Sequence, residues 1–340
     1  MLRSALLSCS QDITLNRIAI WQGGLLNTII RKKILLAVDG SDQALEAVRY
    51  ICTVAAPDRT DIVLFSVGIG FPEVFYDMDN NPLYRSKKTK VMGWLADHQL
   101  VIGEFKEKAL KILATAGFPE DAIDVKTQTK KAGILKDIIQ ESYQNYSAII
   151  VGRTGVSRLK DLILGSMAHK LAEKIKHIPT VIVAGKPTSR RILVALDESI
   201  EAMRGVSCIG ALAGADNLEI SLCHCLKPPA MSRFTSEGPN KAEGDQNWRT
   251  YHANRFKPYM DEATQRLLDA GIDARQISRD FIFVRINTIQ EIIATAFNRK
   301  FGTIVVGRRE VVSFTEEHLR GRFSEKIINS LNNMAVWVVS

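Results

Sequence analysis

Short runs of β-branched and aliphatic residues alternate along the chain with longer segments in which apolar residues recur at helical spacing. The short runs show no period-two alternation, which is typical of buried parallel strands joined by crossover helices. In the first half, the pattern predicts strands near 33–38, 61–67, 123–128, 147–151 and 180–184. We therefore expect an α/β fold with a doubly wound, five-stranded parallel sheet.

The pattern occurs twice. Ile34–Asp39 recurs as Ile192–Asp197, a lag of 192 − 34 = 158, and Ile149–Arg153 answers Ile304–Arg308, a lag of 155. Only about three residues of net deletion separate the two lags, so each half is one complete copy of the same unit. The repeat predicts an N-terminal extension at 1–30, a first domain at 31–187 and a second domain at 189–340.

Two details of each copy bear on a ligand site. The first helix begins after Ser41 or Asp42, either of which can cap it. A long polar segment follows the second strand of each copy, at Gly68–Asp97 and Lys227–Tyr251. Because ligands bind at the carboxyl ends of strands in such sheets, each segment is either a solvated loop or a lid over a ligand.

Composition and charge narrow the class of protein. The chain is 46% hydrophobic and 24% charged, as globular proteins are, and no apolar run reaches the roughly 18 residues that span a bilayer. Of the net charge of +8, residues 1–33 supply +5 − 1 = +4, which leaves too little elsewhere for a nucleic-acid-binding face. Five cysteines without a C-x-x-C pair favour a reducing compartment. We expect a cytoplasmic protein without membrane or nucleic-acid partners; the first 30 residues are a targeting segment, a disordered extension or the product of a misassigned start codon.

Other motifs are weak. Cys223, His224 and Cys225 suggest a metal site, but alternate residues of a strand face opposite ways, so the three cannot converge on one ion. We expect a buried strand end there and no metal site. The sequence has no P-loop motif and no nucleophile with a base at recognisable spacing, so no catalytic residue is assigned.

The strongest chemical pattern follows the fourth strand of the first copy. Gly152 is followed by Gly155 and then, after nine residues, by Gly165 and Ser166. Glycine permits close backbone approach, successive N–H groups can cradle an anion, and Ser166 would fall where a helix N-terminus favours phosphate. The pattern predicts a phosphate cradle; a glycine turn followed by a helix cap is the alternative.

This spacing, G-x-x-G-x9-G-[ST] after a buried strand, resembles the nucleotide-binding motif of the universal stress proteins. The surrounding Val151–Ala168 is similar to that family throughout. Asp39 and the strand that ends at Val67 also fall where the family has its first-strand acid and its adenine-contacting residue. The resemblance covers 31–340 in two copies, and it implies the universal stress protein fold, which is similar to that of adenine nucleotide alpha hydrolases.

The resemblance further implies that the first domain binds ATP, alone or with Mg²⁺. Asp39 and the Val67 backbone would hold the nucleoside, although a helix-capping role is the alternative for Asp39. Arg153 would add charge near the phosphates, unless it is a solvated loop cation. The predicted site comprises Ala37, Val38, Asp39 and Val67 around the nucleoside, Val151 and Gly152 under the ribose, and Arg153, Gly155, Gly165, Ser166 and Met167 around the phosphates.

The second copy departs from the motif. Gly307 matches Gly152, but Glu310 stands three residues on, and the next glycine, Gly321, is followed by Arg322. A carboxylate repels phosphate at close range, so we expect no ATP there, although Asp197 persists. A different anion remains an alternative, because arginines stand at positions 308, 309, 320 and 322.

We therefore expect a stress-response regulatory protein that binds ATP at one site and acts through a nucleotide-dependent interaction with an unknown protein partner. The alternatives are a slow ATPase or autophosphorylating enzyme, with Thr154 or Ser157 as acceptor, and a scaffold with a structural nucleotide. The last strands of the two copies are apolar edges, which favours their antiparallel pairing into an intramolecular pseudo-dimer. A homodimer is the alternative assembly.

Overall fold

The computed structural model describes residues 17–22, 25–68, 82–153, 167–213, 218–227, 241–284, 287–308 and 326–340. Its strands are β1 (Arg17–Gln22), β2 (Leu25–Ile30), β3 (Lys32–Ala37), β4 (Thr60–Gly68), β5 (Ile123–Thr129), β6 (Ala148–Gly152), β7 (Thr180–Ala184), β8 (Arg191–Leu196), β9 (Glu219–Leu226), β10 (Ile277–Phe283), β11 (Thr303–Gly307) and β12 (Met334–Val339). Its helices are α1 (Asp42–Val54), α2 (Pro82–Thr115), α3 (Ile134–Ser142), α4 (Met167–Lys174), α5 (Ile200–Leu212), α6 (Lys241–Asp269) and α7 (Thr288–Asn298), and residues 326–330 are also helical.

Ten strands form one sheet, in the order β10-β9-β8-β11-β12-β7-β6-β3-β4-β5, while β1 and β2 form a separate antiparallel pair. Each domain contributes five parallel strands, which confirms the predicted doubly wound fold in both halves. In the first domain the chain runs from β3 outward to β5 and then returns to the other side of β3 as β6. The carboxyl ends of β3 and β6 therefore form a topological switch point, where such folds bind ligands.

Helices cover both faces of the sheet. Helices α1, α2, α5 and α6 pack on one face, and α3, α4, α7 and residues 326–330 pack on the other, so each core runs through both domains. The Ser41 hydroxyl caps α1 by accepting from the Ala44 N–H at 3.1 Å, and Ser199 caps α5 in the same way. None of the helices in the described ranges is both long and apolar enough to cross a membrane.

The two polar segments after β4 and β9 are not loops throughout. The loop interpretation of Gly68–Asp97 and Lys227–Tyr251 is wrong for Pro82–Asp97, which belongs to α2, and for residues 241–251, which belong to α6. The rest of each segment, 69–81 and 228–240, lies outside the described residues.

Helix α2 explains why periodicity missed these helices. In its second half, Phe105, Ala109 and Leu113 recur every four residues and are buried. Towards its first half, apolar residues face solvent: Leu100 is 66% and Met92 is 52% exposed. These exposed apolar residues lie outside the buried stripe and obscure the helical period, so the sequence pattern did not predict this helix.

Strands β7 and β12 join the two domains. They pair antiparallel, with Ile182 opposite Val336, as the apolar edges of the sequence predict. Every residue of both strands is buried. Just beyond the pair, Gly185 has φ 61°, and a Cβ there would lie 2.3 Å from Asn333 Oδ1. That oxygen accepts from the Lys186 N–H at 2.9 Å, which ties the interdomain linker to the second domain.

A buried polar network makes this junction asymmetric. Tyr50 Oη of the first domain lies 2.9 Å from Thr303 Oγ1 and accepts from Trp337 Nε1 at 2.7 Å. Burial raises the pKa of the Tyr50 hydroxyl. The pseudo-equivalent positions of Tyr50 and Trp337 hold Cys208 and Ile182, so only the pairing of unlike domains satisfies this hydroxyl.

Each domain also ties the start of its first strand to its second strand by an ion pair. Arg31 Nε lies 2.5 Å from Asp61 Oδ1, with side chains only 4% and 13% exposed, and the guanidinium also donates to two backbone carbonyls. In the second domain Glu219, the pseudo-equivalent of Asp61, pairs with Arg191 at 2.9 Å, with side chains 66% and 41% exposed. Because the first pair is desolvated, losing one partner should matter much more there.

We therefore expect Asp61→Asn to lower the free energy of unfolding by about 3 kcal/mol, since it leaves a buried guanidinium without its carboxylate. The matched Glu219→Gln change should lower it by less than about 1 kcal/mol, because solvent screens that pair. Urea unfolding of the full chain measures both. Equal effects of the two substitutions would contradict the difference in burial.

Candidate functional site

The candidate site lies at the switch point of the first domain. Strands β3 and β6 are neighbours, with Ala37 opposite Val151, so Asp39 and Gly152 follow them at the same edge of the sheet. Strand β4 lies on the other side of β3 and carries Val67 to that edge. The structure thus brings together the predicted residues that precede the glycine loop.

Four of these residues have their side chains packed in the hydrophobic cores, so only their backbones are available at this edge of the sheet. Ala37 and Val151 are buried in one core, Val67 packs partly buried against that core, and Val38 is buried in the opposite core. The Val38 N–H is already donated to the Phe65 carbonyl at 2.9 Å. Any contact that these residues make with a ligand is therefore set by the position of the strand ends rather than by side-chain chemistry.

Asp39 stabilises the turn between β3 and α1. Its Oδ1 accepts from the Ser41 N–H at 3.1 Å, and Asp197 accepts from the Ser199 N–H at 3.0 Å in the second domain. The same bond in both copies shows that the turn itself uses this carboxylate. The capping alternative thus has a concrete geometry, in which Asp39 supports the residue that caps α1.

Helix α2 covers this turn, a contact that the sequence did not reveal. Gly40 has φ +81°, and a Cβ there would lie 3.1 Å from Ile102 Cδ1 and 3.2 Å from Val101 Cγ1. The middle of α2 therefore rests directly on the residue that follows Asp39. Part of the segment considered as a lid thus continues into a helix that packs over this edge of the site.

Gly152 is required by packing. A Cβ there would lie 2.9 Å from Gln43 Cγ and 3.0 Å from the Gln43 carbonyl oxygen, because the first turn of α1 passes directly over the end of β6. Gly307 is in the same position, with its virtual Cβ 2.6 Å from the Ala202 backbone nitrogen. The second copy therefore has a structural reason to keep this glycine without keeping the rest of the motif.

Gln43, which sequence reasoning missed, fixes the turn to the last strand of its domain. Its Nε2 donates to the carbonyls of Val183 and Gly185 at 3.2 and 3.1 Å, and its Oε1 accepts from the Gly185 N–H at 3.2 Å. The sequence does not distinguish a glutamine that bonds to a neighbouring strand from one that is solvated, because both occur in the first turn of a helix.

Arg153 does not point freely into solvent. Its N–H is donated to the Val183 carbonyl at 2.8 Å, and its guanidinium donates to the Leu331 carbonyl at 2.8 Å and, more weakly, to that of Ile328 at 3.4 Å. Both acceptors of the guanidinium belong to the second domain. The solvated-cation alternative is therefore wrong for this side chain, which is engaged across the domain boundary.

The remaining predicted residues lie past Arg153. Met167 is the first residue of α4, with its side chain 40% exposed. Gly155, Gly165 and Ser166 lie outside the described residues. The same holds for the proposed phosphate acceptors and for the positions that break the motif in the second copy: Thr154, Ser157, Glu310, Gly321 and Arg322.

The equivalent edge of the second domain carries an aromatic stack. His224 stacks on Phe256 with ring centroids 3.5 Å apart and meets Phe281 edge-on at 6.3 Å. Its Nδ1 donates to the Leu196 carbonyl at 2.8 Å, and burial lowers the pKa of the ring. The first domain has Ser66 at the position of His224.

The side chains of Cys223, His224 and Cys225 lie on alternate faces of β9. Cys223 is buried in the core on one face of β9, and Cys225 packs against the same core, while His224 stacks on a helix of the other face. Among the residues that the structure describes, no group of three or more His, Cys, Asp or Glu side chains could hold a metal ion.

Comparison with known proteins gives the family. A sequence model of the universal stress protein family matches residues 31–184 and again residues 188–340. The chain therefore belongs to the universal stress protein family, with two family domains in tandem. It is similar to universal stress protein YxiE of Bacillus subtilis (strain 168), at 24% identity over 156 residues, which are 44% of this chain and 97% of the relative.

Solved structures show the same fold. A universal stress protein from Archaeoglobus fulgidus DSM 4304 matches with a TM-score of 0.52 at 19% identity, over 91% of this chain and 98% of that one. A functionally unknown protein, PA1789 from Pseudomonas aeruginosa PAO1, matches with a TM-score of 0.50 at 15% identity, over 91% and 92% of the two chains.

The packing role of the first motif glycine is testable without a ligand. Gly152→Ala and Gly307→Ala should each lower the free energy of unfolding by about 1–3 kcal/mol, because the added Cβ must displace the backbone of α1 or α5. Gly103→Ala is the control: nothing lies within 4 Å of its Cβ, and alanine favours its helix by about 1 kcal/mol. If Gly307→Ala were harmless, packing would not explain why the second copy keeps this glycine.

Proposed function

We propose that this chain is a regulatory nucleotide-binding protein that binds ATP, with or without Mg²⁺, at one site in its first domain. The observation that carries the proposal is the motif G-x-x-G-x9-G-S, which begins at Gly152 where β6 ends. That point lies at the switch point of the sheet, and the loop returns at Met167, the first residue of α4. A glycine loop between a strand end and a helix N-terminus is suited to phosphate.

The nucleoside would lie beside the loop, over the ends of β3 and β4. Asp39 and the Val67 backbone lie on that side, and α2 covers the turn after Asp39 through Val101 and Ile102. Because a carboxylate accepts several hydrogen bonds, the turn bond from Ser41 does not by itself preclude a ribose contact. A helix over the turn would limit solvent access to a bound nucleoside.

Two features argue for a single site. In the second domain Glu310 replaces a glycine of the cradle, which would oppose phosphate by charge. In addition, the stack of His224 on Phe256 occupies the strand end that corresponds to the nucleoside side of the first domain. The second feature is independent of the motif and strengthens the same conclusion.

The proposed mode of action is binding rather than turnover. Nucleotide would order the loop between Arg153 and Met167 and so change a surface that a protein partner reads. Burial raises the pKa of the Cys52 and Cys225 thiols to about 12 and those of Cys208 and Cys223 to about 11, which argues against covalent catalysis on these four thiols but does not bear on ATP hydrolysis by water. Free thiols also accord with a reducing, cytoplasmic setting. A bound ATP that is found hydrolysed within minutes would favour the ATPase alternative instead.

We expect calorimetry on the full chain to give about one equivalent of ATP. Gly155→Glu, which copies Glu310 into the first domain, should abolish this binding, because a loss of about 3 kcal/mol weakens affinity more than a hundredfold.

Gly103→Glu places the same charge on an exposed helical position of the same domain and should bind as the wild type does. Two equivalents of similar affinity would show that the second domain binds ATP as well. Unchanged affinity in Gly155→Glu would show that the cradle lies elsewhere.

A further inference from the structure

The glycine loop of the first domain is attached to the second domain at the point where it starts. Arg153, its second residue, donates through its guanidinium to the carbonyls of Ile328 and Leu331, at the carboxyl end of the helical residues 326–330. Carbonyls at a helix end lack partners within the helix, and a cation there is favoured by the helix dipole. The contact gives the Leu331 carbonyl a cationic donor and adds one to the Ile328 carbonyl, which also accepts from the Leu331 N–H at 3.4 Å.

The loop is attached to the same segment where it ends. His169, in the first turn of α4, has its Nε2 3.0 Å from Oδ1 of Asn329. Since α4 begins at Met167, this contact holds the helix that directly follows the loop. Both ends of the loop are thus bonded to residues 328–331 of the other domain.

An arginine of the second domain makes the equivalent contact with the first domain. Arg308, the pseudo-equivalent of Arg153, donates its N–H to the Val339 carbonyl at 2.5 Å, as Arg153 does to Val183. Its guanidinium donates to the Glu173 carbonyl of α4 at 3.2 Å. Glu173 and Ile328 are themselves pseudo-equivalent, because both repeat at the lag of 155. The two arginine contacts are therefore one contact made twice across the pseudo-twofold axis.

We infer that these contacts, made by Arg153, His169, Arg308 and Asn329 and here called the cross-domain clasp, make the second domain a positioning element for the nucleotide loop of the first. The inference rests on the proposed function. It gives the second domain, whose own motif is broken, a specific role, because that domain fixes the separation and direction of the two ends of the loop. Arg308 and Asn329 are then positioning residues that touch no nucleotide.

Two physical points favour positioning over a contribution to stability alone. The clasp contacts Arg153 and α4, which flank the segment proposed to hold phosphate. Moreover, burial lowers the pKa of the half-buried Arg308 guanidinium, which accords with a side chain packed at the domain junction. A loop whose ends are fixed in advance loses less conformational freedom when nucleotide binds.

The test uses the full chain with Arg308→Met and Asn329→Ala, neither of which alters the first domain. Arg308→Lys keeps the charge as a rescue variant. Arg191→Met is the matched control, because the Arg191 guanidinium also donates to a carbonyl at a helix end, that of Arg299, but within one domain. ATP affinity is measured by calorimetry, and amide hydrogen exchange of residues 167–174 is measured without nucleotide.

We expect Arg308→Met and Asn329→Ala to weaken ATP binding at least about fivefold and to speed exchange in 167–174, with Arg308→Lys in between. Arg191→Met should leave both readouts unchanged even where it lowers the melting temperature. Wild-type affinity in Arg308→Met and Asn329→Ala would overturn the inference. If the wild-type chain binds no ATP, the proposed function fails. The exchange measurement then still tests the cross-domain clasp, because unchanged exchange of residues 167–174 in the two variants would show that the clasp does not position α4.

Discussion

The antiparallel pairing of β7 with β12 is the interaction on which the rest of the structure depends. Each five-stranded sheet ends in a strand that is apolar on both faces and has one unpaired edge, which alone would expose backbone groups and favour aggregation. Pairing the two edges satisfies both sets of groups and brings the helices of each domain into two common layers. The contact of Tyr50 with Trp337 and the arginine contacts form only because the strands meet in this register.

Packing within each domain explains which part of the glycine motif the two copies share. Gly152 and Gly307 are both kept because a helix backbone passes within contact distance of each. Three residues further on, the second copy has Glu310 where the first has Gly155. A motif that is partly retained can thus contain residues kept for packing and residues kept for a ligand. The arginine after each glycine belongs to a third group, since it serves the junction between the domains.

The sequence predicted the features that depend on local pattern. All five strands of the first domain and the Ser41 cap were found because buried strands and helix starts have characteristic compositions. Helices α2 and α6 were missed; in α2, exposed apolar residues such as Leu100 and Val101 lie outside the buried stripe and obscure the helical period. The contacts of Arg153 and the stack of His224 on Phe256 could not be predicted, because each joins residues that are distant in the chain and that meet only once the domains or helices have packed.

Hydrogen exchange of the β7 and β12 amides tests most directly whether the two domains form one continuous sheet. If they do, peptides covering 180–184 and 334–339 should exchange only through global unfolding, with equal opening free energies that fall together as denaturant is added. Exchange of either peptide through a separate, lower-energy opening, with the other still protected, would show that the domains are independent units and would contradict the continuous sheet.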